Sequence, residues 1–143
     1  MNTIRLFLLF AVVHSHFALA DANDEEWEKR YDRIIMEVCQ NIENECLVRY
    51  SAYELDKNEL PVNNLSQVAI EGKVIVIQKH DPFWGKGGDF KSKIYTNPTW
   101  LDLAIIANEM IIVTGDHHHK YLEDFEVIKI ENEIKFVELF MGS

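Results

Sequence analysis

The 143-residue sequence is short of cations, cysteine, proline and glycine, and each shortage closes off a class of protein. Lys and Arg number 14 against 24 Asp and Glu. Such a field repels nucleic acid and anionic membrane surfaces, so nucleic-acid binding is not expected as a function. Three prolines and six glycines, with no repeat or biased tract, leave no linker, collagen-like segment or low-complexity region. With only two cysteines the hydrophobic core must carry the fold, which a domain of this length can do.

Long apolar runs are also missing. Leu6 to Val13 is uninterrupted, behind one positive charge at Arg5 and ahead of the small residues Ala18-Leu19-Ala20. This pattern reads as a secretory signal peptide over residues 1–20, cleaved after Ala20. As a helix the run would rise only about 12 Å against a hydrocarbon core roughly 30 Å thick, too short for an anchor. No later stretch is long and uncharged enough to span a bilayer, so the mature domain, residues 21–143, is expected to be soluble, without stable membrane insertion, and secreted or periplasmic. Without Arg5 it keeps 13 cations against 24 acids, a net charge of −11.

Catalytic signatures are absent as well. No serine sits in G-x-S-x-G, so a serine nucleophile is not expected. Gly85-Lys86-Gly87-Gly88-Asp89 lacks the spacing and the hydroxyl of a phosphate-binding P-loop, and neither H-E-x-x-H nor C-x-x-C occurs. No cofactor is expected.

Periodicity is where the sequence is informative. Trp27, Tyr31, Ile34, Ile35, Val38, Ile42, Cys46, Leu47 and Tyr50 recur at steps of three and four, which predicts one apolar face on a helix from about 24 to 50. Asn23 with Glu26 predicts its capping box. Cys39 and Cys46 on that helix would have Cα atoms about 10.5 Å apart, beyond the roughly 7 Å limit for a disulfide. Packed free thiols are therefore the expectation. The alternatives are a bond across a helix break near residues 41–44, or pairing with another chain.

Strand patterns follow. Residues 66–70 and 73–78 flank Glu71-Gly72 as a hairpin, and Val74 to Ile77 reads as a central strand. Residues 90–95 suggest another strand, and Asn97-Pro98 opens a second helix, apolar almost all round and hence buried. Residues 111–114, 121–130 and 133–140 read as strands, the last two joined by a turn at Asn132. The fold class is α+β: a long N-terminal helix and a second buried helix packed on a curved, mainly antiparallel sheet. This order of elements over 24–143 resembles the curved-sheet cone of nuclear-transport-factor-2-like and cystatin-like domains. The resemblance implies a pocket between the concave face and the helices, of a kind that hosts small apolar ligands, isomerases and dimer contacts alike.

Two stretches carry candidate chemistry. In residues 80–93, Phe83, Trp84, Lys86, Gly87 and Gly88 are the candidate ligand- or partner-binding residues. With Lys79 just before it, Lys86, Lys91 and Lys93 outnumber Asp81 and Asp89 there, and the glycines are expected to free N–H groups for an anion-binding concavity. The bland reading is a turn with its aromatics tucked in and its lysines solvated. In the second stretch, Asp116 to His119, a strand would point His117 and His119 to one face, about 6.6 Å apart, with His118 turned away. These two are the weak metal candidates, against a reading as polar turn or pocket-rim histidines.

Two functions follow. The expected one is a small secreted binding or interaction protein, contacting a protein or small-molecule ligand through a pocket or the 80–93 loop, with one sheet face open to a homodimer. The alternative is an acid–base or metal-assisted enzyme acting on a small molecule through His80, Asp116, His117 and His119. Asn64-Leu65-Ser66 adds a glycosylation sequon, whereas proline disqualifies Asn97-Pro98-Thr99.

Overall fold

The computed structural model describes the backbone of residues 3–143 and the side chains from residue 22 onward. The side chains of the leader expected over residues 1–20 lie outside the described residues. Helix α1 spans Thr3–Gln40 and runs through Asn23, so the predicted capping box does not form there. The apolar stripe holds as far as the helix does: Ile34 and Val38 are buried, and Trp27, Tyr31 and Ile35 are half-buried.

Beyond Gln40 the structure departs from the expected helix. Asn41 ends it by donating its side-chain N–H to the Glu37 carbonyl at 2.8 Å, and the chain bends through residues 41–44. The bend brings the Cα atoms of Cys39 and Cys46 to 5.4 Å, and the two are joined as a disulfide. The expectation of free packed thiols is thereby overturned, because it rested on a helix that stops one residue after Cys39. A second clamp holds the same bend. Buried Asn108 accepts the N–H groups of Leu47 and Val48 at 2.7 and 3.1 Å and donates to the Glu45 carbonyl at 3.0 Å.

The strands are β1 (Arg49–Tyr50), β2 (Glu54–Leu55), β3 (Pro61–Val62), β4 (Lys73–Gln78), β5 (Phe90–Lys91), β6 (Tyr95–Thr96), β7 (Tyr121–Glu131) and β8 (Ile134–Gly142). The main sheet runs β1-β7-β8-β4-β5, with β6 also paired to β4. It is open and mixed: β1/β7 and β4/β8 are parallel, and the remaining pairs are antiparallel. Strands β2 and β3 form a separate ribbon. Its turn is held by Asp56, which accepts from the N–H groups of Asn58 and Leu60 and from Arg30 of α1.

The predicted β7–β8 hairpin is present, closed by Asn132 and Glu133 with φ of 49° and 63°. Two consecutive positive φ angles fit the right-handed twist of the strands they join. The hairpin predicted at Glu71-Gly72 is absent. Gly72 does turn the chain, at φ 90°, but residues 66–70 form no strand, and the antiparallel partner next to the turn is β6. Asn97, which the sequence placed at a helix start, closes this pairing by accepting the Gly72 N–H at 2.6 Å and donating its own to the Gly72 carbonyl. The strand expected over 90–95 is split into β5 and β6 at Ser92, whose hydroxyl takes the N–H of Val76.

Helix α2 (Trp100–Thr114) starts two residues later than Pro98 suggests, capped by Thr99 in a reciprocal box with Asp102. It also absorbs residues 111–114, read from the sequence as strand. Gly115, left-handed at φ 69°, is what stops it. Its inner face joins Ile34 and Val38 of α1 and Val74, Val76, Leu122 and Val137 of the sheet in one core. The helix is buried along one face and not all round, for Ile112 and Val113 remain 45% and 44% exposed. Among the described residues no helix is long and apolar enough to cross a membrane.

Candidate functional site

Both candidate stretches meet at the C-terminal end of α2. Residues 81–88 reverse direction tightly: the Asp81 side chain accepts the Phe83 N–H at 2.8 Å, and its carbonyl accepts the N–H groups of Trp84 and Gly85 at 3.1 Å. Gly87 and Gly88 then donate to the carbonyls of Thr114 and Val113, at 2.9 and 3.1 Å. These carbonyls lie in the last turn of the helix, where no intrahelical donor is left for them. The glycine-rich loop therefore caps a helix terminus and does not form the anion-binding concavity expected of it. The fit explains two of the glycines. A Cβ on Gly85 would overlap the Thr114 carbonyl oxygen, and one on Gly87 the Val113 carbonyl oxygen.

His80 belongs to this scaffold. Its N–H donates to Asp89 at 2.8 Å and its Nε2 lies 2.7 Å from the Gly85 carbonyl, which makes that nitrogen the ring's donor. The lysines separate: Lys79 borders one cleft and Lys86 another, while Lys91 and Lys93 lie over the rings of Phe136 and Tyr95. The aromatics are not tucked in as core plugs. Phe83 is 79% exposed and stands edge-on to Trp84, which is itself 40% exposed.

Residues 116–120 form a turn, not a strand. One oxygen of Asp116 accepts the N–H groups of His118 and His119, and the other meets the His119 Nδ1 at 2.8 Å. The turn undoes the expected alternation. His118, predicted to point away, stacks flat on the Trp84 indole at 4.3 Å with 5° between planes, and His119 meets the same ring edge-on. His117 is exposed on the other side of the loop, so the structure does not bring His117 and His119 together. Among the described residues no group of three or more His, Cys, Asp or Glu could hold a metal ion.

Two clefts flank the Trp84–His118 stack. The first, of about 250 Å³, opens between α2 and the sheet, with Met110, Ile111, Leu139 and Met141 as an apolar floor and Lys79, Asp116 and His119 on its rim. In this cleft the Asp116 carboxylate fixes His119 with Nδ1 as donor, leaving Nε2 as the ring's acceptor and potential base. Burial pushes the Asp116 carboxyl up, but the bonds from the His119 ring and from the His119 and His118 N–H groups outweigh it and hold the pKa below the usual value. The second cleft, of about 560 Å³, lies between Phe83 and Ile112 and carries Lys86 and His117.

Of the residues singled out from the sequence, Asp116 and His119 converge, Phe83, Lys86, Gly87 and His117 line the second groove, and His80 is spent on loop structure. Sequence reasoning missed His118, Asp81 and Thr114. The Asp at 81 and at 116, each followed within three residues by N–H groups it can cap, was the available signal. In comparisons with known proteins, no family model, curated protein or solved structure matches this chain.

Proposed function

We propose that this chain is a small secreted binding protein that contacts its partner through the Phe83–Trp84 tip of the 80–93 loop. One observation carries the reading: an aromatic ring 79% exposed to water stands on a loop whose backbone is tied at residues 83, 84, 85, 87 and 88. Exposing a phenylalanine costs solvation free energy, and fixing it in place removes the entropy penalty of ordering it on binding. The Cys39–Cys46 disulfide and the leader pattern of residues 1–20 support export to an oxidising compartment. Two measurements test the proposal. Mass spectrometry of exported protein should find Asp21 at its N-terminus, and Phe83→Ala should abolish partner capture while leaving the unfolding midpoint in place.

A second reading is favoured by the 2.8 Å Asp116–His119 pair beside an apolar-floored cleft. It is acid–base chemistry with His119 as the base and Asp116 as its orienting group; His80 and His117 have no part in it. A purified activity that survives His119→Ala sinks this alternative.

A further inference from the structure

We propose that the groove between the Phe83 ring and α2 binds a peptide segment that presents an apolar side chain next to a carboxylate. The inference rests on the binding reading above and names the chemistry of the ligand. Its apolar half comes from Phe83 and Ile112, 79% and 45% exposed and both lining the same groove. Its charged half comes from what the lining contains and what it excludes. Lys86 and His117 are its ionisable residues, and it holds no carboxylate.

That exclusion is unusual for a protein with 24 acids against 14 cations. Three other clefts among the described residues each carry at least two: Asp81 and Asp116 in the cleft beside the sheet, Glu25, Glu28 and Asp32 along α1, Glu43 and Glu109 near the disulfide. The carboxylates closest in sequence to the groove are each engaged elsewhere. Asp81 is turned onto the Phe83 N–H, Asp89 onto the His80 N–H, and Asp116 onto the His119 ring and the backbone of its own turn. Among the described residues Lys86 makes no ion pair. An unpaired ammonium beside two exposed apolar walls is the complement of a carboxylate beside an apolar side chain.

A peptide fits better than a small molecule. Ligand pockets for small molecules enclose most of the ligand's surface, whereas this groove is walled by a ring that remains four-fifths in water. A shallow groove of that kind supports an extended segment lying across it, with one side chain against Phe83 and Ile112.

The test titrates the purified protein with three capped tripeptides, Asp-Phe-Asp, Ser-Phe-Ser and Lys-Phe-Lys, and follows the resonances of Phe83, Lys86, Ile112 and His117. The expected result is that the acidic peptide shifts these resonances with an affinity about tenfold above that of the basic one, since complementary charge favours the matching partner and like charge suppresses the wrong one. Raising the salt should shrink the preference, and Lys86→Glu should reverse it at an unchanged unfolding midpoint. Equal binding of all three peptides at the groove overturns the charge inference while leaving the binding reading intact. Shifts centred elsewhere, or none with any peptide, overturn the groove as a peptide site. So does binding to phosphatidylserine vesicles through Phe83 with the acidic peptide silent. The binding reading fails separately, if Phe83→Ala captures the same partners as the parent.

Discussion

Gly87 and Thr114 are joined through backbone alone: the N–H of the glycine donates to the carbonyl of the threonine at 2.9 Å, at the point where helix α2 runs out of donors of its own. The contact is close enough that a β-carbon on Gly87 would run into the adjoining Val113 carbonyl. Gly88, one residue on, has open space where its β-carbon would be. Gly87→Ala should therefore lose about 1–3 kcal/mol through overpacking and the broken cap, whereas Gly88→Ala should stay within about 0.5 kcal/mol of the parent. Urea unfolding of the two variants side by side checks the contrast.

The bend after α1 is held twice, and the two clamps should separate by size. Removing the disulfide with Cys39→Ser and Cys46→Ser frees a loop of about eight residues, worth about 2.5 kcal/mol by loop-closure entropy. Asn108→Ala strips the N–H groups of Leu47 and Val48 and the Glu45 carbonyl of their partner. With about 1–3 kcal/mol lost for the buried Val48 N–H left unsatisfied and further, smaller losses at the part-buried Leu47 N–H and Glu45 carbonyl, it should cost at least as much as the disulfide. Denaturant melts of the reduced, double-serine and Asn108→Ala proteins give the ranking.

The aromatic tip should be nearly dispensable for folding. Phe83→Ala removes a ring that is mostly in water already and should shift stability by no more than about 0.5 kcal/mol. Trp84→Ala loses the stack on His118 and the edge contact with His119, worth about 1 kcal/mol beyond the area uncovered. A collapse of the melting temperature in Trp84→Ala would place that ring in the core.

Acid should loosen the 116–120 turn. The Asp116 pKa is depressed in the folded chain from its ordinary 3.8, so its bonds contribute stability that is fully present above that ordinary value and is lost as pH falls through the lower folded one. The Trp84–His118 stack reports on the turn. Its indole emission should change in this acid window, and Asp116→Ala should show the altered emission already at neutral pH.

Much of the architecture was legible in periodicity. The stripe of α1 as far as Val38, the burial of Val74 to Val76 and the Asn132 turn all read directly, because each is set by residues close in sequence. What was not legible depended on distant partners. Ile111, Ile112, Val113 and Thr114 have strand composition, yet they finish a helix because Gly115 stops the helix only after them and the 85–88 loop caps its carbonyls. The turn at Gly72 was visible, but its antiparallel partner is β6, more than twenty residues on, and not the segment before the turn. At the candidate site, it was the local geometry that was not legible. The His tract was given the alternation of a strand, whereas Asp116 gathers the N–H groups of His118 and His119 into a turn.

Asn64 has a consequence for how the chain must be made. Its side-chain nitrogen, the atom to which a sugar would be joined, donates to the Ala52 carbonyl at 2.9 Å, its oxygen accepts the Tyr50 hydroxyl at 2.8 Å, and the residue is 1% exposed. A glycan at this sequon and the folded core exclude one another. In a host that glycosylates nascent chains, the order of events is then decisive: a chain modified before this segment packs has lost its route to the native state, and the yield of working protein equals the fraction that escaped the sugar.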